Sequence, residues 1–200
     1  MRTTGLVLCA LAAVLQVRAG NFLRQLPDAK LSAQITPEKF RNADAVIILK
    51  EQVLSVSGTS IMYRGEDLEG ESMTQTTILL VKTFNQAGVA RFGSFEYEYP
   101  ERFGNEIKAG FACRARVQKP DGEVVEMPEG DVHILVSEED SEGDPLARKA
   151  VFKIPNVDAG DVVQIEYTLT EPLARATSGL YYYSDVVPVL ISNLMITVPD

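Results

Sequence analysis

The fold is decided by residues 162–169, Val162-Val163-Gln164-Ile165-Glu166-Tyr167-Thr168-Leu169. Val163, Ile165, Tyr167 and Leu169 alternate with Gln164, Glu166 and Thr168, the period of two that places one set of side chains on each face of a strand. An amphipathic helix would bring its apolar residues round every three or four positions instead. Residues 111–117, Phe111-Ala112-Cys113-Arg114-Ala115-Arg116-Val117, carry the same period. Phe111, Cys113, Ala115 and Val117 share one face, and Arg114 and Arg116 point the other way. Phe95, Tyr97 and Tyr99 alternate with Ser94, Glu96 and Glu98. Pro100 stops that strand because proline has no N–H to donate.

Working outward, β-prone runs occupy residues 45–56, 60–64, 74–84, 107–119, 123–127, 150–154, 181–183 and 190–198. Turn signals separate them: Ser57-Gly58, Asn85-Gln86-Ala87-Gly88, and residues 156–161 with Gly160. Pro120-Asp121-Gly122 predicts a hairpin, because proline presets the first central dihedral and glycine accepts a positive one. About eight or nine short strands without strand–helix alternation predict an all-β fold, an antiparallel β-sandwich. A short N-terminal helical or irregular segment is expected near Thr36-Pro37-Glu38, where Thr36 can cap and Pro37 suits the first helical position. With no internal repeat and no low-complexity linker, the expected division is residues 1–19 as signal peptide, 20–44 as N-terminal extension and 45–200 as one β-sandwich domain.

The signal rests on three features. Arg2 supplies a positive start, residues 5–15 are uninterrupted apolar, and Val17-Arg18-Ala19 fits the small-x-small pattern cut by signal peptidase, here between Ala19 and Gly20. The apolar run is too short for a bilayer, which takes about 20 residues. Cys9 is not a lipid-attachment site, since Leu8 stands where a small residue is wanted. The product is expected to be exported, periplasmic rather than extracellular, with no later transmembrane segment. The net charge of −9 becomes −11 when Arg2 and Arg18 leave with the signal. That balance argues against a nucleic-acid partner, which needs a basic face to displace counterions, and against docking on anionic lipid.

Once Cys9 is removed, Cys113 stands alone and no internal disulfide is possible. Its position mid-strand on an apolar face reads as a small buried hydrophobe. A Cys113–His133 nucleophilic pair would need a base beside the thiol and a third orienting group, and none is identifiable. His133, the one histidine, reads as a structural strand residue. The run Glu138-Glu139-Asp140-Ser141-Glu142-Gly143-Asp144 offers hard oxygen ligands but lacks the spacing of a calcium loop, and reads as a solvated acidic loop. Tyr181, Tyr182 and Tyr183 are candidates for ligand contact, of the kind that stacks on sugar faces; alternation puts Tyr182 opposite the other two. No catalytic, cofactor or metal residues are expected, and no cofactor is implied.

Residues 151–167, Val151-Phe152-Lys153-Ile154-Pro155-Asn156-Val157-Asp158-Ala159-Gly160-Asp161-Val162-Val163-Gln164-Ile165-Glu166-Tyr167, resemble the signature of the domain of unknown function 3857 family. The turn Lys119-Pro120-Asp121-Gly122 and the ending Pro188-Val189-Leu190-Ile191-Ser192-Asn193-Leu194-Met195-Ile196-Thr197-Val198-Pro199 resemble it too, so the likeness covers about residues 40–200. Ala159 departs from the family, which often has proline before the glycine. The resemblance implies an all-β module of exported bacterial proteins, often placed directly before a transglutaminase-like domain. It implies a non-catalytic interaction or scaffold module of the cell envelope, partnered by a protein or by a downstream transglutaminase-like domain. The alternative is the N-terminal portion of a longer exported transglutaminase-like or cysteine-protease-like enzyme with its catalytic residues beyond residue 200. A third reading is a glycan-binding module.

Overall fold

A computed structural model describes residues 24–63, 66–103, 107–108, 110–172 and 186–197. Eleven strands occupy them: β1 (Ala45–Tyr63), β2 (Glu66–Thr83), β3 (Ser94–Pro100), β4 (Arg102–Phe103), β5 (Ile107–Lys108), β6 (Gly110–Gln118), β7 (Val124–Glu126), β8 (His133–Glu139), β9 (Pro145–Lys153), β10 (Val162–Pro172) and β11 (Val189–Thr197). They form a six-stranded sheet in the order β11-β1-β2-β10-β6-β7, a three-stranded sheet β3-β9-β8 and a two-stranded ribbon β4-β5. The all-β, sandwich-like architecture is the expected one.

The large sheet is buried on both faces at its centre. On the inner face, Val163 and Ile165 of β10 and Ala115 and Val117 of β6 pack against Phe152, Ile154 and Met127. Aromatic rings fill the space toward the small sheet: Phe95–Phe152 at 5.1 Å, Tyr97–Tyr167 at 4.7 Å and Tyr99–Phe111 at 4.8 Å between centroids. On the outer face, Val46, Ile48, Ile78, Leu80 and Val162 pack against Leu26, Ile35, Phe40 and Phe84. Two-sided burial explains the unbroken apolar runs Ala45-Val46-Ile47-Ile48 and Ile78-Leu79-Leu80-Val81. Each fully buried Ile or Phe contributes roughly 1.5–3 kcal/mol of transfer free energy.

Four local expectations are corrected. Ser57-Gly58 makes no turn; β1 runs through it, paired with β2 as far as Tyr63 and Glu66. Among the described residues, pairing of β1 with β11 ends at Ser55 and pairing of β2 with β10 ends at Ser72, and the hairpin beyond them is paired with itself. Asn85-Gln86-Ala87-Gly88 opens a helix, α2 (Gln86–Phe92), following α1 (Ala29–Ala33) in the extension. Asn85 suits a turn and a helix start equally, and its side chain accepts hydrogen bonds from the N–H groups of Ala87 (3.0 Å) and Gly88 (3.1 Å). Thr36 precedes a 3-10 turn, Pro37–Phe40, with proline at its first position as expected, but makes no side-chain cap. Finally, β11 runs parallel to β1, while the other pairs are antiparallel. Alternation reports which side chains share a face and is blind to strand direction.

Candidate functional site

The two turn motifs lie far apart in the chain and meet at one end of the large sheet. Lys119 Nζ donates to Asp158 Oδ2 and Asp161 Oδ2, both at 2.8 Å, and to the Asn156 carbonyl. Asp161, buried, also accepts from the Asp158 N–H at 2.7 Å. Thr83, fully buried at the end of β2, donates its hydroxyl to the Asp158 carbonyl at 2.8 Å. Gly160 takes φ 97°, where its N–H reaches the Thr83 carbonyl and a Cβ would sit 3.6 Å from the Pro120 ring. Burial works against the Lys119 ammonium, but its bonds to Asp158 and Asp161 outweigh that and raise its pKa. The cation is spent on holding two turns together.

A second polar cluster lies on the outer face of the same sheet. The register aligns Glu51, Ile78, Glu166 and Arg114 in one row and Leu80, Gln164, Arg116 and Glu126 in the next. Arg114 pairs with Glu166 across β6 and β10, with Nε at 3.0 Å from Oε1. Arg116 Nε donates to Gln164 Oε1 at 2.9 Å. Arg24, from the extension, closes over this row. Its guanidinium makes a fork on Glu51, with Nε at 2.6 Å from Oε2. Its carbonyl accepts from Arg116 Nη2 (2.9 Å) and Gln164 Nε2 (3.1 Å). A fully buried carboxylate such as Glu51 is tolerable only with such pairing. Alternation placed Arg114 and Arg116 opposite the core correctly, but the side they occupy is covered by the extension. Arg24 carried no local signal, because its partner stands 27 residues away.

Cys113 faces inward beside Phe111, Ala115 and Val117 as expected, half-buried against the core. Burial pushes its thiol up to about 11. His133 begins β8, an exposed strand of the other sheet, so the structure does not bring the two into a nucleophile–base pair. Residues 138–144 carry the turn from β8 to β9, shaped by Asp140, whose carboxylate accepts from the N–H groups of Glu142 (2.8 Å) and Asp144 (2.9 Å). Among the described residues, no three His, Cys, Asp or Glu side chains gather as a metal would require. The tyrosines Tyr181, Tyr182 and Tyr183 and the cleavage site at Ala19 and Gly20 lie outside the described residues. No described helix is long and apolar enough to cross a membrane.

The profile of the domain of unknown function with solved structure, DUF3857, matches residues 71–200. The chain belongs to the DUF3857 family. Both turns of the Lys119 cluster fall inside the matched region, whereas Arg24 and Glu51 lie before it. The fold is similar to that of a candidate protease from Parabacteroides distasonis, with a TM-score of 0.56 and 14% identity. That likeness covers 78% of this DUF3857 chain and 29% of the other, so the chain spans less than a third of that protein. The CBM3a-L domain of scaffoldin CipA from the Clostridium thermocellum cellulosome gives a TM-score of 0.32 and 10% identity, over 64% of this chain and 68% of that one. Comparison with curated proteins finds no match.

Proposed function

We propose that this DUF3857 chain is an exported interaction module without a catalytic centre of its own, which serves a protein partner such as a transglutaminase-like domain. One observation carries the reading: the charged side chains at the motif turns and under the extension are committed to bonds that hold the fold, while β8, with its apolar run Ile134-Leu135-Val136, is left at the surface. Buried fixed charge rigidifies a module, and an exposed strand edge offers a partner its backbone. Export to the periplasm follows from the expected signal, and a processed N-terminus at Gly20 in a periplasmic fraction would support it. The functional test is turnover. The purified chain should hydrolyse no amide substrate and transfer no amine to glutamine peptides above the level of a Cys113→Ala variant. Activity that disappears in Cys113→Ala would overturn the proposal.

A second reading is favoured by the 29% coverage of the candidate protease. There the fold occupies one part of a longer protein, and these residues would be the front of a longer exported enzyme. A Cys, His and Asp set in the reading frame after codon 200 would decide for it.

A further inference from the structure

We infer that β8 is the docking edge, and that it accepts a cationic, extended segment of a partner polypeptide as an added strand. This assignment rests on the interaction-module reading and names the partner's chemistry. All seven residues of β8 are exposed. It ends the small sheet, pairing with β9 on one side and with no strand on the other among the described residues. Ile134, Leu135 and Val136 are 39%, 53% and 43% exposed, a consecutive apolar run at an open sheet edge.

The inner side of this edge is an overhang. Ile134 lies opposite Ala150 and Val136 opposite Arg148, on the side whose other members, Phe95, Tyr97 and Phe152, are covered by the large sheet. Leu146, of the same parity as Arg148 and Ala150, is 44% exposed. The large sheet therefore does not reach beneath β8. An added strand would place alternate side chains beside Ile134 and Val136 while its backbone completes the open edge.

Charge selects the occupant. Between Pro120 and Ala147 the chain carries ten carboxylates and no Lys or Arg. Glu126, Glu129 and Asp131 precede β8, and Glu138, Glu139, Asp140, Glu142 and Asp144 surround its exit. A second copy of this chain would lay acid against acid in either strand direction, because both ends of β8 are acidic. Lysine or arginine beside the apolar positions of the incoming segment meets the opposite sign at both ends. Natural edge strands commonly carry charge to prevent such pairing; on β8 the charge is negative, Glu138 and Glu139, which repels a like strand but not a cationic one.

The test uses the full chain and, as probe, a short peptide alternating valine and threonine with a lysine pair at one end. Its control has glutamates in place of the lysines. The lysine peptide should bind, weaken as salt rises, and slow amide exchange at residues 133–137. Ile134→Lys should abolish binding, and Glu138→Lys with Glu139→Lys should reduce it by about tenfold or more. All of these positions are exposed, and unchanged thermal unfolding shows that the fold is kept. Equal binding of both peptides, or exchange at β8 unaffected by the lysine peptide, overturns the assignment. So does a concentration-dependent dimer that Ile134→Lys dissolves, which would give the edge to a second copy. Turnover assays on the same preparations separate the two claims: amide-cleaving activity would remove the module reading, whereas failure of strand addition alone would leave it standing.

Discussion

At Cys113 the surroundings set the chemistry of the residue. The thiol stands opposite Tyr167 on the inner face and is pushed up to about 11 by burial, against about 8.5 for an unperturbed cysteine. The folded chain thus holds the proton where the unfolded chain has lost it. This contribution to stability is complete below about pH 8.5 and is lost as pH rises through about 11. Alkylation of the native protein by iodoacetamide should be slow near neutrality and accelerate toward pH 11, while the denatured chain reacts earlier in the titration. Rapid labelling of native protein near neutral pH would contradict the desolvation of this half-buried thiol. The inward direction of Cys113 was legible in Phe111, Ala115 and Val117. Its proton affinity was not, because the desolvating groups come from β10 and the small sheet.

At the scale of the element, α2 shows where local reading ends. Asn85-Gln86-Ala87-Gly88 suits a turn and a helix start equally, and tertiary contact decides between them. Gly88 lies against the chain at Asp44, where a Cβ would come 2.2 Å from the Asp44 carbonyl oxygen. Alanine improves helix propensity by about 1 kcal/mol over glycine, but here the overlap is with backbone and no side-chain rotation relieves it. Gly88→Ala should therefore destabilise the protein, by about 1–3 kcal/mol in urea unfolding. An equally stable variant would show that α2 does not pack on Asp44 as described. The period-two strands were legible because each depends on its own side chains. Passage of β1 through Ser57-Gly58 was not, since β2 supplies the pairing that keeps the strand extended there.

Across the whole molecule, the extension is tied to the sheet by the fork from Arg24 to Glu51. Removing one partner of a buried pair leaves the other charge uncompensated, at a cost of about 3–5 kcal/mol. Arg24→Ala should lower stability by that order in urea unfolding. Glu51→Gln in the same background should recover part of the loss, because a neutral amide is cheaper to bury than a lone carboxylate. An Arg24→Ala variant as stable as the parent would show that the extension contributes no anchoring.

The alternation of side chains by itself determined the all-β class, the inward and outward faces of most strands and the hairpin at Pro120-Asp121-Gly122, because these depend on residues one or two positions apart. Tertiary structure alone decided the parallel direction of β11, the partners of Arg24 and Lys119, and which strand stands at an open edge. Each of those is a relation between segments separated by tens of residues, and no local period carries it. The candidate docking edge shows the division: Ile134-Leu135-Val136 is plainly apolar in the sequence, but only the order of strands leaves it facing water.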